Sequence, residues 1–137
     1  MEAHLRLGDT EFMHQFERTS LDPKVFSHEA HLRLAWIHIK HHGQEEAIAK
    51  LITQIKTFAS KHGAPDKFNM TVTVAAVKAV HHFVKKSKSA SFVDFILEFP
   101  RLKHHFKDLM AAHYSFEIFT SPRAKVKYLA PDLLPFD

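Results

Sequence analysis

The sequence predicts an all-α protein: one compact bundle of about five or six helices over residues 1–137, with an extended C-terminal tail. Three observations carry this prediction. Apolar residues recur at the three- and four-residue spacing of a helix in several segments. Those segments are bracketed by capping residues, prolines and glycines at the positions where helices start and stop. And with only three glycines and no Asn-Gly or Asp-Gly pair, nothing signals a meander of hairpins.

In chain order, residues 1–8 carry no strong helix signal and read as a loosely ordered N-terminus. Asp9 or Thr10 can cap a short helix to about Arg18, with Phe12 and Phe16 on one face. Leu21-Asp22-Pro23 makes a turn, Ser27 is placed to cap a helix over residues 28–42, and Gly43 stops it. From Gln44 to His62 the pattern is strongly amphipathic: Ile48, Leu51, Ile52, Ile55, Phe58, Ala59 and His62 share a face, and Gly63 and Pro65 end the run. A further helix runs from Asn69 or Met70 to about Lys86 on an inner face of Val72, Ala76, Ala79, Val80 and Phe83. Ser91 can cap Phe92 to Phe99, and Pro100 restarts a helix that continues to about Ala112 or His113. Ser121-Pro122 opens a last helix to about Leu129. Residues 130–137 form the extended tail, with Leu133, Leu134 and Phe136 expected to pack on the body. EAHLRL occurs at residues 2–7 and again at 29–34, but the flanks differ and there is no fixed period, so it reads as a local coincidence rather than a repeat unit.

Composition removes several function classes. A chain of 137 residues with 45% hydrophobic residues can bury its own core. Without cysteine it has no disulfide, thiolate zinc site, iron–sulfur cluster or thiol nucleophile. No apolar run is long enough to span a membrane and no secretory signal pattern opens the sequence, so the expected location is the cytoplasm. Residues 1–69 balance nine Lys/Arg with nine Asp/Glu, whereas residues 70–137 hold ten against six, so the whole +4 lies in the second half. That excess leaves weak nucleic-acid binding as a minor option, because no recognition motif or aromatic platform accompanies it.

The compositional outlier is histidine, with thirteen residues, five of them in HEAHLRLAWIHIKHH, residues 28–42. On a helical wheel Leu32, Ala35, Trp36 and Ile39 take one face, and Ala30, Leu34 and Ile37 the opposite one. Glu29, Arg33 and Lys40 form a charged stripe between them. His31, His38 and His42 fill the other gap, with His28 at its edge. A helix apolar on two sides is packed on two sides, so this one is central. Two readings of the imidazole seam compete. The rings bury their carbon edges and bond to backbone or water, or His28 and His31, one turn apart, converge on a metal or a ligand. As a metal pair His28 and His31 are weak, since H-x-x-H stands here without a Glu-x-x-His partner. Asn69 and Thr73 fall on the inner face of their own helix, and an inward Asn needs hydrogen-bond partners, for which His28 or His31 are natural choices.

Three segments resemble a family of small bacterial all-helical proteins of uncharacterised activity: Phe26 to Trp36, similar to H-x-x-H-L-R-x-A-W; Lys67 to Thr73, similar to K-Y-H-E-T-I-T; and His113-Tyr-Ser with Ser121-Pro-Arg-Ala and Pro131-Asp-Leu, similar to a closing Y-S, A-R, P-D-L pattern. The resemblance implies that the histidines of the first motif and a His-Glu pair of the second gather into one polar or metal-binding pocket. Here Asn69 and Met70 stand where that His and Glu are expected, which disfavours a divalent metal.

The resulting expectation is a pocket for a small polar molecule lined by His28, His31, Trp36, Asn69 and Thr73. The alternative is a protein-interaction or scaffold module without a ligand site. Whether a reaction is catalysed, and whether the chain self-associates, stay open.

Overall fold

The computed structural model describes residues 1–136 as helices and connecting loops, with no strand among them. There are eight α-helices, five of them at least seven residues long: α1 Asp9–Glu17, α2 His28–His42, α3 Gln44–Lys61, α4 Met70–Val84, α5 Phe92–Glu98, α6 Arg101–His104, α7 Phe106–Ala111 and α8 Pro122–Val126.

Three starts have the cap the sequence suggests: Ser27 accepts from the Ala30 amide, Ser91 from Asp94 and Ser121 from Ala124. α4 has a cap not anticipated from the sequence, Asn69 accepting from Val72. Each cap satisfies a donor that would otherwise be orphaned, a contribution of about 1 kcal/mol. Gly43 ends α2 and begins α3 in a single residue at φ 86°, the left-handed region that a Cβ disfavours. That one-residue link makes α2 and α3 an antiparallel hairpin. α1 starts without the expected Asp9 or Thr10 cap: its first residue follows Gly8, the Asp9 carboxylate is taken by Arg33, and Asp9 and Glu11 serve only as first-turn charges.

α2 lies at the centre, packed on α3 and α4, with α1 and α6 closing further sides. Leu32, Leu34, Ala35 and Ile37 are all at most 1% exposed. Trp36 faces Phe92 and Phe95 of α5, at ring-centre distances of 6.0 and 6.4 Å.

Four expectations need correction. Residues 1–8 are not loose: Ala3–Arg6 form a 3₁₀ turn and His4 is fully buried. The helix after Pro100 breaks at His105 (φ −135°, ψ 36°) into α6 and α7. α8 stops at Val126 instead of Leu129, because the Thr71 hydroxyl donates to the Lys127 carbonyl at 2.8 Å and accepts from the Leu129 amide at 3.0 Å. Those bonds hold the chain extended across the start of α4. In the tail Leu133 and Leu134 are more than half exposed. What binds the tail is backbone pairing of Leu133 and Leu134 to the His113 and Ala112 carbonyls, and Phe136 stacked 4.1 Å from the His113 ring.

Candidate functional site

Between the start of α2, the end of α3 and the start of α4 the chain leaves a cavity of about 380 Å³. Its walls include Phe26, Phe58, Phe68, Ile55 and Val72, with His31, Asn69 and Thr73 inside and His62 and Lys67 toward solvent. The elements explain the location. The loop between Thr19 and Ser27 brings Phe26 over His31 at 5.6 Å and onto Phe58 at 5.5 Å. Gly63, at φ 76°, turns the chain after α3 so that Phe68 closes the far wall. Phe58 in turn carries His62, just past the end of α3, at 4.5 Å. A larger concavity of about 650 Å³ is lined solely by Ile52 through Lys61 of α3, so it is the open outer side of one helix rather than a pocket.

His31 is the chemically exceptional wall residue. Its Nε2 is buried and has no hydrogen-bond partner. Burial, helped by the nearby His28, lowers its pKa from the ordinary 6.5 to about 4, so the ring is neutral at pH 7. A neutral imidazole with an unpaired buried nitrogen costs about 1–3 kcal/mol unless something meets it. Asn69 plays a different part from the one expected. Its Oδ1 accepts from the Val72 amide at 2.9 Å and its Nδ2 donates to the Ile118 carbonyl at 2.8 Å. The amide is spent on capping α4 and anchoring residue 118, and neither His28 nor His31 is its partner.

Of the five residues expected to share a pocket, the fold brings together His31, Asn69 and Thr73. His28 leaves α2 on another side. Its Nε2 meets the Leu102 carbonyl at 2.9 Å and its ring lies 4.9 Å from Phe106. His28 and His31 therefore line different cavities and do not converge on one ion. Trp36, two turns from His28 and turned to α5, is a core residue, 5% exposed. The wheel missed Phe26, Phe68 and Lys67, which sit in irregular segments with no periodicity to read. Phe58 and His62 were visible as an i, i+4 pair on the inner face of α3.

A second polar constellation was not anticipated. Glu29 and Arg33 are only 6% and 5% exposed, because the N-terminal turn lies over their stripe. His4 Nε2 meets Glu29 Oε2 at 2.6 Å, and Lys103 reaches Glu29 Oε1 at 2.8 Å. Arg33 donates to the His4 carbonyl at 2.7 Å, the Leu7 carbonyl at 2.8 Å and Asp9 Oδ1 at 2.8 Å, and its guanidinium covers the Phe12 ring at 4.8 Å. Burial pushes the Glu29 carboxyl up, but hydrogen bonds from Lys103 and His4 outweigh it and hold the group below its usual value. Glu2, His4 and Glu29 place ligand-type atoms within 4.8 Å of one another. Lys103 already ion-pairs both carboxylates, Glu29 at 2.8 Å and Glu2 at 3.6 Å, so the cluster is a structural ion network and a poor host for a cation.

No family model, no curated protein and no solved structure matches this chain. No helix of the described residues is long and apolar enough to cross a membrane.

Proposed function

We propose that the chain binds a small molecule with an aromatic or aliphatic body and a hydrogen-bonding, preferably anionic, group in the cavity between α2, α3 and α4. The observation that carries this reading is the buried, unpartnered Nε2 of His31 on the wall of a cavity otherwise formed by Phe26, Phe58, Phe68, Ile55 and Val72. A volume of about 380 Å³ lies within the range of sites for small ligands, and mostly apolar walls with few placed polar groups are their usual make-up. Lys67 at the exposed edge, and Lys56 held 5.6 Å over the Phe68 ring, supply cations that favour a carboxylate or similar head group. The expected small polar ligand is thus narrowed to an amphipathic one, and Asn69, with its Oδ1 and one amide hydrogen committed to Val72 and Ile118, chiefly shapes the wall.

Two-dimensional amide NMR with a panel of fragments (benzoate, indole, a medium-chain fatty acid and their neutral amides) tests the reading. Binding should shift resonances of His31, Phe58 and Val72, favour the acids over the amides, and lose that preference in Lys67→Glu. A cavity-filling Ala59→Trp should abolish it. Fragments that bind equally well to Ala59→Trp, or no binding at millimolar concentration, would remove the proposal.

A further inference from the structure

Away from that cavity, at the closed end of the α2–α3 hairpin, five polar residues follow one another every four positions: His38, His42, Glu46, Lys50 and Gln54. On α2 that spacing puts His38 and His42 one above the other, and after the Gly43 turn Glu46, Lys50 and Gln54 line the facing side of α3. The His38 and His42 rings lie 5.9 Å apart, inclined by 25°.

His38 is 2% exposed, yet neither of its ring nitrogens has a hydrogen-bond partner. Gln54 Oε1 is likewise buried and outside strict hydrogen-bond geometry, although it stands close enough to a His38 ring nitrogen to act on it as a hydrogen-bond acceptor. Orphaned polar atoms of this kind are rare inside a folded chain, and even if Gln54 Oε1 takes the proton of one His38 nitrogen, the other nitrogen keeps a buried lone pair with no partner. His42 differs: its Nδ1 lies 2.7 Å from Glu46 Oε2, a bond in which the ring N–H donates to the carboxylate. That fixes the tautomer and leaves the Nε2 lone pair free.

We propose that His38 and His42, with the side-chain oxygen of Gln54, form a binding site for a transition-metal dication of the zinc, nickel or copper type, with Glu46 orienting the His42 ring.

The donor set suits such an ion. Imidazole nitrogens favour zinc, copper and nickel over magnesium or calcium. Two imidazoles sharing a metal at about 2 Å have ring centres roughly 5 to 6 Å apart, the separation seen here within a rotamer adjustment. A carboxylate holding the far nitrogen of a ligating histidine is the usual outer support of such sites. Three protein donors leave coordination positions for water on the exposed side of His42, through which an ion can enter. Lys50 and His41 are the other groups facing His38, and the Lys50 charge opposes a cation there.

The test is calorimetric titration of the tag-free chain with Zn²⁺ alone, with Co²⁺ absorption and histidine ¹⁵N NMR as independent readouts. One equivalent should bind ahead of any weaker uptake by surface histidines, moving the ring nitrogens of His38 and His42. His42→Ala and Gln54→Leu should each weaken this first equivalent at least about tenfold, and Glu46→Gln by about 10–100-fold. Lys50→Met should tighten it, a change that a merely structural role would not produce. Doubly replacing the surface pair His104 and His105 by alanine should leave it unchanged. If His42→Ala binds Zn²⁺ as tightly as the parent, or if the His38 ring nitrogens do not move on titration, the site is not a metal site. His42 is a third exposed, so its replacement leaves the core intact and the result stays interpretable.

Discussion

Acid should unfold this protein through His31 before it protonates most carboxylates. In the folded chain burial and His28 hold the His31 pKa near 4, against 6.5 for an exposed imidazole. A base whose pKa is depressed by folding stabilises the fold above its unfolded pKa, and that stability is lost as pH falls from 6.5 toward 4, because the unfolded chain takes up the proton first. Integrating between those two midpoints gives a loss of about 2 kcal/mol from pH 7 to pH 5 for this one ring, and about 3 kcal/mol once both states are protonated. Against a typical total of about 5–15 kcal/mol this is a large share. The comparison to make is urea unfolding at pH 7 and pH 5 for the parent and for His31→Phe, which keeps a ring against Phe26 and removes the titration. His31→Phe should lose about 2 kcal/mol less over that interval. It should be no less stable at pH 7, since the unpaired nitrogen is replaced by carbon. Equal losses in the two proteins would show that His31 titrates normally, and hence that its nitrogen is not sealed in the cavity wall.

Other perturbations probe other parts of the fold. Glu29→Ala leaves His4 Nε2 with only the longer contact to Glu2 at 3.5 Å and removes the Lys103 bond, so chemical denaturation should show a loss of about 2–4 kcal/mol, and protease should gain access to the first turn. Asn69→Ala removes both the α4 cap and the bond to Ile118, costing about 2 kcal/mol by the same measurement, whereas Asn69→Asp should restore the cap alone. Thr71→Val keeps the shape but cuts both bonds to the strap after α8. Amide exchange at Leu129 should accelerate at least tenfold, with little change at α2.

The parts of the fold that were readable before the structure share one property: they are set within a few residues. Ser27, Ser91 and Ser121 begin their helices because each side chain reaches an amide three positions on, and the apolar spacing of α3 marks its inner face. Where the sequence misled, a distant group had intervened. Nothing near Val126 says that the helix must stop there; the hydroxyl of Thr71, more than fifty positions earlier, does. The candidate site follows the same division. The wheel turned Asn69 and Thr73 inward and set His28 and His31 along a seam, but it could not name what they meet: Ile118 for Asn69, Leu102 for His28, and Phe26 for His31. A wheel gives a direction for a side chain and cannot say which loop stands at the end of it.

The two EAHLRL segments make the same point within one molecule. The second copy, begun by the Ser27 cap and continued by eight more helical residues, is α-helical throughout. The first forms only a 3₁₀ turn and gives way to extended backbone at Leu7 and Gly8, so a helical nucleus there has no propagation to repay it. Identical residues then take unlike roles. His4 is buried against Glu29 while His31 walls a cavity, and Arg6 is exposed while Arg33 is buried. Moreover the first copy lies on the second: His4 of one pairs with Glu29 of the other, and the first copy's carbonyls at His4 and Leu7 accept from the second copy's Arg33. Tertiary contact, rather than local propensity, therefore decides what this hexapeptide becomes. It also turns the first half of the charged stripe of α2, Glu29 and Arg33, into a third packed side of the central helix, while Lys40 at its far end stays exposed.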